Sequence, residues 1–438
     1  MPIAGLDIHK KMVQAAVLDE EGRLLHSERF PATREALEEF ARTKLSPQHR
    51  VALEATFNTW AVVRVLRPWV AEVVVSNPLR TRAIAEAKIK TDRVDALVLA
   101  ELLRADYLPR VWQPDARTQQ MRAQTTERAA MVSDRTRIKN RIHSILAQRL
   151  IPAPVDNLFN RAGLIWLRHL ELDPPGRQAL DRYLRQLQNC EQELLHLNRE
   201  LAKEAHGDPQ VKLLMTMPGV DVAVAQALLA CLGDVTRFPG ADRAAAYLGL
   251  VPSTHQSAEH CYHGPITKQG RGHARWLLVQ AAQHLGKHPG PLGVFFRRLA
   301  KKKNRNVAVV ATARKLVVIA WHMLKNNEPY RYAQPRSTEA KLSRLRITAT
   351  ERRKRGGVPK GTPRSMNYGQ GGTRAVPALD AVYESEELPP LPPLAPGERA
   401  MIEQNRLSSF VEQLHHTYRI PKKSPEKPSR KEERKSMT

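Results

Sequence analysis

Four carboxylates are spaced so that they could do chemistry together. Asp7 lies in "IAGLDIHKK", Glu54 ends the apolar run "VALEA", and Asp92 and Asp95 sit three apart in "KTDRVDA". Spacing of three puts the last two on one face of a helix. Oxygen ligands drawn from two strand ends and a helix suit a hard divalent cation such as Mg2+, which polarises a phosphodiester. Each acid also has an ordinary role open to it, as a solvated turn residue or, for Asp92, as a partner of the helix dipole.

A second group occupies residues 251–276, "VPSTHQSAEHCYHGPITKQGRGHARW". Its histidines and Cys261 suggest zinc at first sight, but Cys261 and His263 are too close to form a separated ligand pair. No second Cys/His cluster accompanies them. A serine nucleophile fits better. Its hydroxyl is weak at neutral pH and needs a base, a metal or nearby cations. His255 or His260 could shuttle a proton, and Lys268, Arg271 and Arg275 could stabilise charge on a phosphate under attack. Residue chemistry alone leaves Ser253 and Ser257 tied, with an ordinary polar loop as the competing reading.

These residues need elements to hold them. The first hundred residues alternate strand and helix signals: three opening strands with "DEEG" as a hairpin turn, then helix, strand, helix and strand. From Thr91, a plausible N-cap, apolar residues recur at helical spacing. This pattern predicts a mixed sheet covered by helices. A long polar helix is expected over 114–150, carrying Arg135, Lys139 and Arg141 among other cations. A second follows over 177–205, with leucines at 180, 187, 194 and 201 forming a coiled-coil or helical-hairpin seam. The run "LLMTMPGVDVAVAQALLACLG" reads as a helix-hairpin-helix whose turn, at Gly219, could hold a phosphate through backbone N–H groups. Asp221 stands where a second glycine would allow closer approach. We divide the chain into 1–150, a linker with the seam helix at 151–206, a mostly helical segment at 207–330 with the serine loop, and a Pro-rich basic tail at 331–438 expected to be largely disordered.

Composition names the partner class. Seventy Lys and Arg face 44 Asp and Glu, a net charge of +26 that attracts polyanions, nucleic acid first among them. Lys10, just past Asp7, belongs to the cations available for this. The three cysteines form no CxxC pair, which fits a reducing compartment. No run approaches a membrane span and no signal pattern opens the chain, so a cytoplasmic location without membrane association is expected.

Taken together the motifs resemble the DEDD transposases of the insertion-sequence-110 type. "GLDIHKK", "VALEAT" and "KTDRVDA" are similar to that family's RuvC-like, ribonuclease-H-fold domain, and "MPGV…GLVPSTHQS…GPITKQG" to its C-terminal transposase domain. The resemblance implies an acidic tetrad at Asp7, Glu54, Asp92 and Asp95 holding Mg2+, and it singles out Ser257 as the nucleophile. The family's glycine after that serine is Ala258 here. It further implies a covalent phosphoserine intermediate, double-stranded donor and target DNA, a structured guide (bridge) RNA and a homo-oligomer, dimer or tetramer, whose composite site joins domains of different protomers. The arginine-rich helix is the physical candidate for holding RNA backbone. Two other readings share these parts: a metal-dependent Holliday-junction-type nuclease with no use for Ser257, and a non-catalytic nucleic-acid-binding protein.

Overall fold

A computed structural model of the chain describes residues 1–84, 91–257, 260–352 and 373–421. The chain forms two compact units, Met1–Asp115 and Ala116–Thr438.

The first unit is built on a five-stranded sheet. β1 (Ile3–Ile8), β2 (Met12–Leu18) and β3 (Leu24–Pro31) form an antiparallel meander, as the hairpin signals predict. After helix α1 (Arg34–Lys44), β4 (Arg50–Glu54) returns parallel to β1. After α2 (Thr59–Leu66), β5 (Glu72–Ser76) lies parallel to β4. The order is β3-β2-β1-β4-β5. Two short connections then lead on: α3 (Pro78–Ile84) and the helix α4 (Asp92–Arg104).

Alternation divides the sheet's two faces. Ala4, Leu6, Ile8, Val51 and Leu53 pack with Leu37 and Phe40 of α1 and Val62, Val63 and Leu66 of α2. Ile3, Ala52 and Val74 face the other way, with Leu99, Ala100 and Leu103 of α4. Gly5 sits on this second face. A β-carbon there would fall 2.0 Å from the Ala96 carbonyl oxygen and 2.7 Å from the Ala100 nitrogen. Glycine is therefore what lets α4 lie directly on β1.

The second unit is mostly helical. It opens with α5 (Ala116–Ala147), α6 (Arg161–His169), α7 (Pro174–His206), α8 (Pro209–Met215), α9 (Val222–Leu232) and α10 (Ala241–Tyr247). A β-hairpin of β6 (Pro252–Ser257) and β7 (His260–Ile266) follows. Then come α11 (Gly272–Gln283), α12 (Pro291–Lys302), α13 (Arg305–Asn326) and α14 (Pro335–Thr350). The last described elements are β8 (Thr373–Val376), α15 (Leu379–Ser385), α16 (Pro396–Gln404), α17 (Ser408–Leu414) and β9 (Tyr418–Pro421), with β8 and β9 antiparallel.

Three expectations change and one alternative closes. The first compact unit ends at Asp115, and α5 packs along α7 inside the second unit. The α7 leucines are buried there; Leu180 and Leu187 share a core with Ile138, Ile142 and Ile145 of α5. The seam is thus covered by the chain's own helix. The polar stretch after Pro252 is a hairpin and not a loop, held by ladder pairing such as His255 with Tyr262. The tail is not largely disordered over its described residues: Leu342, Leu345, Leu379, Tyr383, Ile402, Leu407 and Leu414 join the unit's main core. Its prolines hid this, since Pro335 and Pro396 open helices, where a missing N–H costs nothing. Residues 353–372 and 422–438 of that tail lie outside the described residues. Finally, α13 is long and apolar enough to cross a membrane by length and composition, against the expectation of no such run. Its Leu316, Val317, Ala320 and Trp321 are buried in the core of its own unit.

Candidate active site

Register brings the first two acids side by side. Leu6 pairs with Leu53 across the parallel ladder, so Asp7 and Glu54 follow at the carboxyl ends of neighbouring strands. Both belong to the sheet face covered by α4. The third part arrives with the helix. Thr91 caps α4 by accepting a hydrogen bond from the Val94 N–H at 3.3 Å, as its sequence position predicts. Asp92 and Asp95 then occupy the first turn, where carboxylates complement the dipole. The close packing at Gly5 sets that turn against the strand end that carries Asp7.

Asp7, half-buried, responds to its surroundings. Burial pushes the Asp7 carboxyl above the usual range, His9 pulls it down, and repulsion from Asp95 and Asp92 pushes it up further. His9 was missed in the sequence. Its Nε2 lies 3.0 Å from Asp7 Oδ2 and 3.3 Å from Asp92 Oδ1, bridging the two acids. Arg29 of β3 adds a guanidinium 3.8 Å from Asp92 Oδ2. Ligand atoms of Asp7, His9 and Asp92 all lie within 4.8 Å of one another. Glu54 and Asp95 stand beside this cluster and are not members of it. Two carboxylates crowded at that distance, one desolvated, repel unless a cation neutralises them. An oxygen-rich set of this kind fits a hard divalent ion.

The serine hairpin belongs to the second unit. Ser257 pairs with His260 at the end of the ladder, next to residues 258–259, so Ala258 lies outside the described residues. Ser253 is at the other end, and its hydroxyl donates to the Pro265 carbonyl at 3.2 Å. His255 and Tyr262 stack across the strands at 4.9 Å, and Thr254 Oγ1 lies 3.0 Å from His263 Nδ1. Cys261 and His263 are cross-strand neighbours of Gln256 and Thr254. At the base of the hairpin, Arg275 Nη1 donates to the carbonyls of Leu248 (3.0 Å) and Gln269 (2.9 Å), which makes it a brace. Lys268 adopts a left-handed backbone, φ 54°, and Arg271 is exposed as the N-cap of α11.

The remaining predicted contacts are spread over the chain. Lys10 is exposed just past β1. Gly219 turns the α8–α9 hairpin at φ 79°, and a β-carbon there would meet the Ala281 carbonyl at 2.6 Å, so this glycine packs on α11. Asp221, the residue in place of a second glycine, caps α9 by accepting from Val224 N–H at 3.0 Å. On α5, Lys139 lies 3.6 Å from Glu191 and 4.7 Å from the Phe159 ring centroid. Arg141 lies over the Tyr183 ring at 5.6 Å, and Arg135 is half-buried. Arg117 pairs with Asp208, and Arg128 donates to Asn198 at 2.7 Å. Much of this helix's cationic face is thus engaged by its own chain.

Comparison with known proteins covers the stretches that carry both groups of residues. A family model for DEDD transposases of the IS110 type matches residues 4–151, and one described as "Transposase IS116/IS110/IS902 family" matches residues 211–293. The chain is 24% identical over 336 residues to the transposase for insertion sequence element IS1111A of Coxiella burnetii, covering 75% of this chain and 91% of that one. It is 26% identical over 331 residues to the transposase for insertion sequence element IS1328 of Yersinia enterocolitica, covering 73% and 95%. A pilin gene-inverting protein of Moraxella bovis is 26% identical over 294 residues, covering 64% and 80%. With its acid-bearing sheet inside the first match and its serine hairpin inside the second, this chain belongs to the IS110-type DEDD transposases and is a DNA transposase.

Proposed function

We propose that the chain cuts and rejoins DNA through a covalent phosphoserine link on Ser257, assisted by Mg2+ at Asp7, Glu54, Asp92 and Asp95. The sheet order, with three antiparallel strands and two parallel ones, supports reading the first unit as ribonuclease-H-like. The observation that carries the metal assignment is the cluster of Asp7, His9 and Asp92. When bound, Mg2+ would neutralise the acids and polarise a phosphodiester. His9 holds the two carboxylates in place and offsets their repulsion.

In the cutting step the Ser257 hydroxyl oxygen bonds to phosphorus as the bond from phosphorus to a deoxyribose oxygen breaks. The serine proton leaves to a base, and the ladder pairing of His260 with Ser257 supports His260 in that role. The freed deoxyribose oxygen takes up a proton and leaves as a hydroxyl. Rejoining reverses these transfers with a hydroxyl from another strand, so the bond is conserved and no energy source is needed. Lys268 and Arg271 are the cations assigned to the phosphate, with Arg275 bracing the hairpin beneath them. Lys10, Gly219 and the free part of the Arg135–Arg141 face are assigned to nucleic-acid backbone, including a guide RNA. The working form would be a homo-oligomer acting on DNA in the cytoplasm.

Denaturing electrophoresis with end-labelled element DNA tests this. Wild type should give a protease-sensitive protein–DNA adduct, and Ser257→Ala should bind the DNA and give none. Asp7→Asn and Asp92→Asn should each lower adduct formation about a hundredfold or more. Normal recombination by Ser257→Ala would leave the metal-dependent nuclease as the better account. Indifference to divalent metal in wild type would favour a binding protein.

A further inference from the structure

Lys341, in the middle of α14, sends its ammonium into the main chain of a distant hairpin. Nζ donates to the carbonyls of Met215, Met217 (2.6 Å) and Val220 (3.1 Å). Among the described residues no carboxylate lies within ion-pair distance of it. The three carbonyls close α8 and form the turn toward α9, where helix geometry leaves the last C=O groups without partners. Met215, Met217 and Val220 are essentially inaccessible to water. A lysine ammonium has three donors and no acceptor, so three inward carbonyls satisfy it completely. Burial pushes Lys341 down to about 7, with Asp221 pulling the other way.

Carbonyl oxygens converging on one point are also how proteins hold a dehydrated monovalent cation. We propose that the carbonyls of Met215, Met217 and Val220 form a monovalent-cation site of the ammonium or potassium class, which the chain fills with its own Lys341. The hairpin therefore depends on a tethered cation supplied by α14. A cleft of about 200 Å3, lined by Lys341, Asp221, Gln226, Arg128 and Arg344, opens beside the site and gives a free ion a way in. This inference is independent of the roles assigned to Ser257 and the four acids.

Thermal unfolding of the full chain tests it, comparing ammonium chloride with tetramethylammonium chloride at equal ionic strength. Lys341→Ala should lower the midpoint by about 5 °C or more in tetramethylammonium. Ammonium should restore at least half of that loss, while wild type shifts equally in both salts. Should the variant not fold in tetramethylammonium, its refolding yield in ammonium is read in the same way. Lys341→Met, which fills the space without charge, should show no ammonium-specific gain. The site is refuted by equal behaviour of Lys341→Ala in the two salts, by a midpoint within about 1 °C of wild type, or by an ammonium-specific gain in Lys341→Met.

Discussion

At the scale of residues, Asp7 is held in a protonation state that its fold does not favour. Its folded pKa lies above the ordinary carboxylate value, because burial disfavours the charged form. Across the window between the unfolded and the raised folded pKa, the native state binds more protons than the unfolded chain. Stability therefore falls as pH rises through that window, and ionised Asp7 is a cost at neutral pH. Asp7→Asn, tested in the absence of divalent metal, should raise the melting midpoint at pH 7 and leave it unchanged near pH 3. A lowered midpoint at pH 7 would contradict the account. Asp7 and Asp92, which the fold brings together, were legible because their types and order carry the signal. His9 was not, although it stands two residues from Asp7: a histidine beyond a strand end bridges two acids only once α4 has been docked.

At the scale of elements, that docking depends on Gly5. Its missing side chain leaves room for the Ala96 carbonyl, and any substituent must push α4 off the sheet. Gly5→Ala should cost about 1–3 kcal/mol in chemical denaturation. It should also weaken divalent-ion binding, measured by calorimetry, although it removes no ligand. Normal ion affinity in a destabilised Gly5→Ala protein would show that the helix position is not what assembles the acids. The five strands and α4 were legible because apolar alternation and the Thr91 cap are local signals. The β6–β7 hairpin was not, since "STHQS" and "HCYHG" lack the apolar alternation that marks a half-buried strand. Helices α14 to α17 were masked by the composition of the tail. There, leucines and prolines alternate in a way that reads as unfolded until a core is present to receive them.

At the scale of the whole molecule, the second unit is completed by its C-terminal third. Leu342, Leu345, Leu379 and Tyr383 are nearly inaccessible, and Tyr383 Oη donates to the Tyr330 carbonyl at 2.6 Å. Each such side chain contributes about 1.5–3 kcal/mol, against a typical net stability of about 5–15 kcal/mol. A chain ending at residue 330 should therefore lose cooperative unfolding of this unit, read by circular dichroism and calorimetry. A truncated protein as stable as the full chain would overturn that role. The same architecture bears on biosynthesis. The carbonyl of Met217 and the lysine that engages it are 124 residues apart. At about 5–20 residues per second, a ribosome needs roughly 6–25 s to span that interval. During that time the nascent chain presents an open apolar surface to chaperones and proteases. A chain stopped before residue 331 would lack Leu342, Leu345, Leu379 and Tyr383 and keep that surface uncovered.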